Sequence, residues 1–518
     1  MFGGPKFRSI DDIDSSVQMK LYSLTKRQIF TVFSCFFLAV ATTILIGING
    51  PPVVYSEVVH SSEMPHIAKE ELKLDRGPFF LDSPYLSSFN QQLYLWCQIL
   101  TNNSASAGKY SEPFGMNVKI LGKEDNNYGY EVNKDSNERT RLLQCHRDTC
   151  SEFLVMHLGH LQYLLYTVIV QFHSLNSLPH PIREVIFTWQ TFNPNFTQLE
   201  IWFRFGFLVI TFAAICLFAH SMRKFSIKDW TIEQKWIVIL LPLLLLYNNP
   251  LFALTFLVSS WVPNLFDALF QTSFCGALLM FWVCTYHGLR TQERGVCLFY
   301  IPKITLVGSI WMLALFFASW ESYHKTTDPT YSTDYDFKNY TPLRIVFFVA
   351  LGVYVLYLLF LIIRAWTELT SLPYFDVRLK FLTILTFIII IACCSLLFIR
   401  YGLRMTDGEA FGGGIMSRYS NAAEFLSLYS ILNFYVYTLA FVYSPAKNAY
   451  TDGHFRDNPA FSMLNDESDD DVMYGMKGLR LMIESPNSNL KTEPLLGKSG
   501  AGMVNGQRMG AKLMSDSD

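Results

Sequence analysis

The most constraining feature of the sequence is an uncharged apolar run over Phe30–Ile48, the first of eight such runs. A helix needs roughly 20 residues to cross the hydrocarbon core of a bilayer, which is about 30 Å thick. Each later run is long enough for a crossing once polar end residues and tilt are allowed. These runs are Phe205–Ala219, Trp236–Leu257, Leu265–Tyr286, Ile304–Trp320, Ile345–Ile363, Phe381–Ile399 and Phe425–Tyr443. The chain is therefore predicted to be an α-helical polytopic membrane protein.

The composition agrees with this class. Only 16% of the 518 residues are charged and 51% are hydrophobic, whereas soluble proteins have about 25% charged residues. The net charge is −2 and no stretch of the sequence forms a dense basic face, so nucleic acid is not an expected partner. Membrane lipids are expected partners.

Two independent patterns orient the predicted helices. With a cytosolic N-terminus, most Lys and Arg residues of the short connections fall on the cytosolic side, as the positive-inside rule requires. The N-x-Ser/Thr sequons at Asn102, Asn195 and Asn339 then all fall on the lumenal side, where they are predicted glycosylation sites. We therefore expect both termini to be cytosolic.

The runs and the polar segments between them divide the chain into five parts. We predict a cytosolic N-terminus over 1–28, a transmembrane anchor helix over 29–50, a lumenal domain over 51–199, a seven-helix bundle over 200–443 and a disordered cytosolic tail over 444–518. A cleaved signal sequence is the alternative for the first span. A retained anchor is favoured, because the run exceeds a typical 7–15-residue apolar region and no A-x-A site follows it.

The lumenal segment carries seven short runs rich in β-branched and aromatic residues, separated by turn-forming stretches. This spacing predicts an all-β sandwich inserted between the anchor helix and the bundle. The predicted strands are Val53–Val59, Leu93–Leu100, Met116–Leu121, Arg139–Cys145, Glu152–Leu158, Leu164–Phe172 and Val185–Thr191.

The cysteine and histidine residues of this segment suggest a disulfide and no metal. Oxidising compartments favour pairing, and Cys145 and Cys150 are the closest pair in sequence. Three reduced thiols, or a pairing that uses Cys97, are the alternatives. His157 and His160 are three residues apart, which on a strand directs the two rings to opposite faces. We therefore predict no metal site.

The motif Tyr247-Asn248-Asn249-Pro250 interrupts the third apolar run. Proline removes a helical hydrogen-bond donor, and amides in hydrocarbon need partners. One interpretation is a hinge whose residues Tyr247, Asn248, Asn249 and Pro250 line a cavity in the bundle. The alternatives are a helix end or hydrogen bonding between helices.

Charged residues near the predicted spans have simpler interpretations. Asp267, Lys303 and Glu424 lie near span ends, where we expect them to snorkel to the membrane surface. The connection Arg223–Lys235, which includes Glu233, is expected to be a solvated loop that sets topology.

The tail contains a short motif that fits a sorting signal. Asn458, Pro459 and Phe461 form an NPxF sequence, which could present an aromatic side chain to the sheet edge of a cytosolic adaptor. Ser468 lies among acidic residues and is a predicted phosphorylation site. The alternative is a tail that only increases solubility.

Several long blocks resemble one protein family. They are TWQTFNPNFTQLEIWFRF (Thr188–Phe205), CLFAHSMRKFSIKDWTIEQKWIVILLPLLLLYNNP (Cys216–Pro250), LNFYVYTLAFVYSPAKNA (Leu432–Ala449) and DNPAFSMLND (Asp457–Asp466). The chain closely resembles the transmembrane protein 181 family, a relative of Wntless and other seven-span proteins. The resemblance implies a GOLD-like β-sandwich between the anchor helix and the seven-helix bundle, and it carries no settled activity.

These observations favour binding over catalysis. The sequence contains no P-loop, HExxH or GxSxG motif, so we expect neither enzymatic activity nor a cofactor. We expect a receptor-like protein of the plasma, Golgi or endosomal membranes. Its lumenal domain and bundle would bind a protein or lipidated ligand, and its tail would bind sorting adaptors. The alternatives are a plasma-membrane signalling receptor of the seven-helix type, and a transporter or channel.

Overall fold

The computed structural model describes residues 17–64, 74–102, 110–123, 129–132, 138–175, 178–258, 260–289, 299–332, 341–369, 373–397, 419 and 421–446. One long helix precedes an all-β region, called the β-domain here, and the remaining long helices follow it. The order of elements confirms the predicted fold class.

Ten strands form the β-domain within the described residues. They are β1 Val54–His60, β2 Phe79–Asp82, β3 Leu93–Thr101, β4 Tyr110–Lys123, β5 Gly129–Glu131, β6 Arg139–His146, β7 Thr149–Cys150, β8 Phe153–Leu158, β9 Leu165–His173 and β10 Ile182–Phe192. All pairings are antiparallel, in the order β1-β10-β3-β7-β6-β4-β9-β2, with β5 on β4 and β8 on β3. All seven predicted strands are present.

The sheet curls around one hydrophobic core. Along β3, buried residues alternate with partly exposed ones, as expected for a strand with a single core face. Phe79 on β2 and Phe187 on β10 lie near opposite ends of the strand order, yet their ring centroids are 5.3 Å apart. The inner faces of the two ends of the sheet therefore pack against each other.

Besides two short 3-10 helices at Ser61–Glu63 and Ser88–Asn90, ten α-helices lie within the described residues. They are α1 Lys20–Ser23, α2 Lys26–Ile48, α3 Pro194–Met222, α4 Ile232–Tyr247, α5 Leu254–Leu257, α6 Val262–Gly288, α7 Ile301–Thr327, α8 Thr341–Leu369, α9 Pro373–Leu397 and α10 Ala422–Val442. Within the described residues, six are long and apolar enough to cross a membrane: α2, α3, α6, α7, α8 and α10. The other two predicted spans correspond to α4 and α9.

Two predicted boundaries differ from the structure. Helix α3 begins at Pro194, capped by Asn193, so the last residues assigned to the lumenal domain belong to a helix. The predicted span Trp236–Leu257 is not one helix, because α4 ends at Tyr247 after 16 residues. Asn249 adopts a φ of 52°, a left-handed conformation that asparagine tolerates better than most residues. The Asn-Asn-Pro sequence therefore ends α4.

The anchor helix α2 packs directly on the last helix, α10. Gly47 is the point of closest approach, since a Cβ atom there would lie 2.5 Å from the Cα atom of Ala423. Small residues allow helix backbones to approach in this way within a membrane. Helix α2 is thus an integral part of the bundle.

The two ends of the described chain meet at the end of the bundle farthest from the β-domain, called the far end here. The Lys20 N–H donates to the Ser444 carbonyl at 2.9 Å, and the Ala446 N–H donates to the Gln18 carbonyl at 2.9 Å. Met19, between them, is 1% exposed. The N-terminal segment is therefore built into the far end.

A buried ion pair lies at the far end of the bundle, close to the point where the two chain ends meet. Arg378 on α9 donates through Nε to Glu233 Oε1 at 2.7 Å, and its Nη2 donates to Glu233 Oε2. The two side chains are 4% and 0% exposed. The expectation of a solvated Glu233 is wrong, because the residue lies in the first turn of α4, where Arg378 reaches it.

Candidate functional site

A cavity of about 200 Å³ lies between the β-domain and the bundle, and we call it the junction cavity. The β-domain contributes residues near β3 and β8, and the bundle contributes α3, α6, α7 and the segment after α4. The lining is mixed, with apolar side chains beside a group of charged and amide side chains. Among the polar lining residues are Gln92, His157, Glu200, Arg204, Asp267 and Lys325.

A tight turn before β3 joins the β-domain to α3. Gln91 adopts a φ of 55°, which directs its side chain towards the helix. Its Nε2 atom donates to Thr197 Oγ1 at 3.0 Å and to Glu200 Oε2 at 3.1 Å. The first turns of α3 therefore carry one wall of the cavity.

The connection that follows α7 holds a second side of the β-domain. The backbone N–H of His157 donates to the Pro329 carbonyl at 2.6 Å. Arg141, which is buried, donates through Nη2 to the Thr330 carbonyl at 2.6 Å. Arg139 forms an ion pair with Asp328. These contacts join the two domains on opposite sides of the cavity.

Arg204 is the most enclosed cation of the cavity wall. Its Nε and Nη2 atoms donate to Glu200 Oε1 at 3.0 and 2.9 Å. The guanidinium carbon lies 4.2 Å from the ring centroid of Phe252 and 4.9 Å from that of Tyr429. Such aromatic faces attract a cation. The side chain is only 6% exposed, so its charge interacts with Glu200 and the aromatic rings and hardly with solvent.

Asp267 is the more accessible carboxylate. It accepts hydrogen bonds from Asn249 Nδ2 at 2.7 Å and from Gln271 Nε2 at 2.8 Å. Arg204 Nη1 is 3.6 Å from its Oδ1 atom, and the side chain is 28% exposed. The expectation that Asp267 snorkels is wrong, because the residue faces the cavity and other side chains of the bundle.

The second cation, Lys325, also has an acidic partner. Its Nζ atom is 2.5 Å from Glu321 Oε1, one turn earlier on α7. Both residues line the cavity. Each cation named on this wall is therefore next to a carboxylate.

His157 presents an imidazole ring to the same cavity. Its Nε2 atom is 3.1 Å from Gln92 Oε1, and its ring stacks on Tyr94 at a centroid distance of 4.3 Å. Burial, with a smaller contribution from Lys325, lowers the pKa of His157 well below 6.5. The ring is therefore neutral at neutral pH. Within the described residues, Nδ1 is buried and has no hydrogen-bond partner.

His160 lies beyond the end of β8 and also lines the cavity. Burial lowers its pKa as well, although a hydrogen bond with the backbone of Thr255 opposes the shift. The two histidines therefore do not share a strand, since His157 alone lies within β8. Both side chains belong to the junction between the domains.

The predicted motif Tyr247-Asn248-Asn249-Pro250 does not line the junction cavity. Asn248 and Asn433 exchange side-chain hydrogen bonds of 2.9 and 3.0 Å, and Asn248 also donates to Thr211 at 3.0 Å. Both asparagines are fully buried. Asn248 therefore forms hydrogen bonds between helices, which was one of the alternatives for this motif. Asn249 does not line the cavity itself, but it donates a hydrogen bond to Asp267, which does.

The structure places a disulfide between Cys145 and Cys150. The two residues are direct partners in the β6–β7 pairing. Cys97 is a buried free thiol on β3, and burial raises its pKa well above 9.

The predicted modification and sorting sites are only partly visible. Asn102 and Asn195 are exposed on the β-domain side, whereas Thr197 of the second sequon is buried. Asn339 lies outside the described residues. The tail residues Asn458, Pro459, Phe461 and Ser468 also lie outside them.

Sequence reasoning missed the pair formed by Glu200 and Arg204. The predicted span begins at Phe205, so both residues fall within the predicted bundle but outside its predicted helix. They are four residues apart, the spacing that brings an acid and a base together on a helix. That spacing was the available signal, provided that the helix was extended back to Pro194.

A transmembrane protein 181 from Homo sapiens is 45% identical to this chain over 501 residues, which cover 96% of the chain and 98% of the relative. This chain belongs to the transmembrane protein 181 family. Residues 77–192 match the family described as TMEM181, GOLD domain, and residues 193–447 match the Wntless-like transmembrane domain. The boundary between these matches coincides with the step from β10 to α3.

Similarity to Wntless is weaker and partial. The protein wntless homolog of Homo sapiens is 27% identical over 211 residues, which cover 36% of this chain and 37% of that relative. The homolog of Rattus norvegicus has the same identity over the same length. The predicted resemblance is confirmed. In this member of the transmembrane protein 181 family, the junction cavity lies where the GOLD domain meets the Wntless-like domain.

Proposed function

We propose that this multi-pass membrane protein is receptor-like and binds a polar ligand in the junction cavity. The observation that carries the proposal is that two domains line one cavity with charged side chains. Ligand pockets form preferentially at domain interfaces, around a few convergent polar groups. Contacts on both sides, from Gln91 to α3 and from Arg141 to the connection after α7, support a preformed site.

The orientation proposed from the sequence gives the ligand a route. A lumenal or extracellular β-domain with cytosolic termini agrees with the distribution of Lys and Arg. The meeting of the two described chain ends at the far end supports placing both termini on one side. The ligand would then reach the cavity from the lumen or from outside the cell. We propose residence in the plasma, Golgi or endosomal membranes.

The lining favours a polar ligand over a lipidated one. Charged and amide groups line part of the junction cavity, and an acyl chain that filled it would leave them without water. An apolar groove of about 550 Å³ lies between α8 and α9, lined by residues such as Ile363, Trp366 and Phe387. Bilayer lipids would fill this groove in any membrane protein, so it does not favour a lipidated ligand in particular.

The rival functions have less support. Glu200 and Glu321 are each paired with a cation, and the sequence contains no P-loop, HExxH or GxSxG motif, so we do not propose catalysis. A transporter needs a path through the bundle, and the buried Asn248–Asn433 pair joins α4 to α10 in its interior. We therefore propose binding without catalysis or transport.

A comparison of co-purified small molecules tests the proposal. Gln271→Trp fills part of the cavity, and Phe266→Trp adds a comparable ring on the exposed side of the same helix. Full-length proteins are purified in detergent and denatured, and the released molecules are identified by mass spectrometry. We expect one polar compound with wild type and with Phe266→Trp, and its loss from Gln271→Trp. Identical inventories for all three proteins would overturn the proposal.

We also propose that the tail directs sorting, on the basis of the NPxF motif alone. Phe461→Ala should move the protein from endosomes towards the cell surface, and Phe455→Ala is the matched control outside the motif. Surface biotinylation and microscopy measure the distribution. An unchanged distribution for Phe461→Ala contradicts this part of the proposal.

A further inference from the structure

The charges lining the junction cavity do not balance. Among its described residues, the carboxylates are Glu200, Asp267 and Glu321, and the cations are Arg204 and Lys325. Each cation has its own carboxylate, because Arg204 binds Glu200 and Lys325 binds Glu321. The surplus negative charge therefore falls on Asp267.

The contacts of Asp267 compensate that charge only in part. Both donors within hydrogen-bond distance, Asn249 and Gln271, are neutral amides. Arg204 Nη1, at 3.6 Å, is within ion-pair distance but beyond hydrogen-bond distance, and the same guanidinium also balances Glu200. A carboxylate has about four lone-pair positions, and these contacts use two of them. Since Asp267 is 28% exposed and Arg204 only 6%, a ligand meets the acid before the guanidinium.

His157 adds a second acceptor. Gln92 Oε1 is an acceptor, so the nearby Nε2 of His157 carries the proton and donates to it. In this tautomer Nδ1 has a free lone pair, and it has no partner among the described residues. The side chain is 2% exposed and lines the cavity. A buried acceptor without a donor is costly, so a ligand that supplies an N–H group would be favoured.

We infer that the junction cavity binds a small amine in its ammonium form, with Asp267 as the charged acceptor and His157 Nδ1 as the neutral one. This inference rests on the proposed function of the cavity. An ammonium group has only donors, which matches the two acceptors. The cavity has a volume of about 200 Å³, whereas typical pockets for drug-sized molecules begin at about 300 Å³. The ligand therefore has only a few carbon atoms.

A series of probes that differ only in charge tests the inference. Purified full-length protein is heated in detergent at pH 7.5 and constant ionic strength with n-butylamine, n-butyrate or n-butanol. A ligand that binds the folded state raises the melting temperature in a saturable way. We expect this rise with n-butylamine only.

Two variants locate the effect. Asp267→Asn keeps the shape of the side chain and removes its charge. It should weaken amine binding, so that the half-saturating amine concentration rises by about tenfold or more. Glu57→Gln removes one exposed charge from β1 and should leave the amine effect unchanged. If Asp267→Asn does not fold, Gln271→Trp serves instead, because it blocks the cavity and keeps the carboxylate.

The outcomes separate this inference from the proposed function. A melting-temperature rise with n-butyrate instead of n-butylamine overturns the amine assignment, while the cavity remains a binding site. An equal amine effect in wild type and Asp267→Asn also overturns it. No response to any probe overturns the amine assignment too, and the mass-spectrometric comparison of Gln271→Trp then decides the proposed function independently.

Discussion

The buried pair of Glu233 and Arg378 gives the sharpest prediction about stability. The side chains share two hydrogen bonds and are at most 4% exposed, so neither charge has water to replace a lost partner. Removing one member of such a pair costs about 3–5 kcal/mol. Total stabilities of about 5–15 kcal/mol are typical, so Glu233→Leu or Arg378→Met alone should remove a large part of the stability.

The double variant should behave differently. With Glu233→Leu and Arg378→Met combined, no charge is left buried, and apolar replacements of such pairs are often neutral or stabilising. Glu233 also lies in the first turn of α4, where the helix dipole favours an acid by about 0.3–1 kcal/mol. We therefore expect the double variant to lose at most about 1 kcal/mol, much less than either single variant.

Melting temperatures of fluorescent fusions in detergent, read by size-exclusion chromatography after heating, measure these differences. Arg364→Met is the control, because it breaks an exposed pair with Glu368 whose side chains are 44% and 31% exposed. Exposed pairs contribute at most about 1 kcal/mol. The reasoning is refuted if the single variants match this control, or if the double variant loses as much as the two single losses together.

Further predictions concern pH, packing and glycosylation. Burial and Lys325 lower the pKa of His157, so its neutral form stabilises the fold above pH 6.5, and stability should fall as the pH drops from about 6.5. The melting temperature should therefore fall between pH 7 and pH 5, and His157→Gln should make that fall smaller. Asn433→Leu should lower the free energy of unfolding by about 1–3 kcal/mol, because it leaves the side-chain carbonyl of Asn248 without its donor. In a double-mutant cycle of melting temperatures, Asn433→Leu combined with Asn248→Leu should cost less than the two single losses together. Asn102→Gln should remove one glycan, so the variant should run faster than wild type on a gel, and glycosidase treatment should abolish that difference.

Much of the fold followed from the composition and spacing of short runs in the sequence. The seven predicted strands are present because β-branched and aromatic residues, as in Leu93–Leu100, suit a sheet with one buried face. The strands that were missed, β2, β5 and β7, have only two to four residues, too few to form such a run. Their pairing depends on neighbouring strands that are distant in sequence.

The candidate site was much less predictable. The interpretation of Asp267 treated a charge near a span end as a surface group, but a neighbouring turn and helix enclose this residue. Glu200 and Arg204 were hidden because the hydrophobic run begins only at Phe205. The Asn-Asn-Pro motif correctly indicated a break, but sequence alone did not show that Asn248 would meet Asn433, 185 residues away.

The hydrogen bond from Ala446 to Gln18 has a consequence for biosynthesis. Its partners are separated by more than 400 residues, so Gln18 leaves the ribosome long before Ala446 exists. At about 5–20 residues per second, the wait lasts roughly 20–90 s. During that interval the apolar side chain of Met19 lacks the partners that bury it in the folded protein. We therefore expect the segment around Met19 to bind a chaperone while the chain is being synthesised.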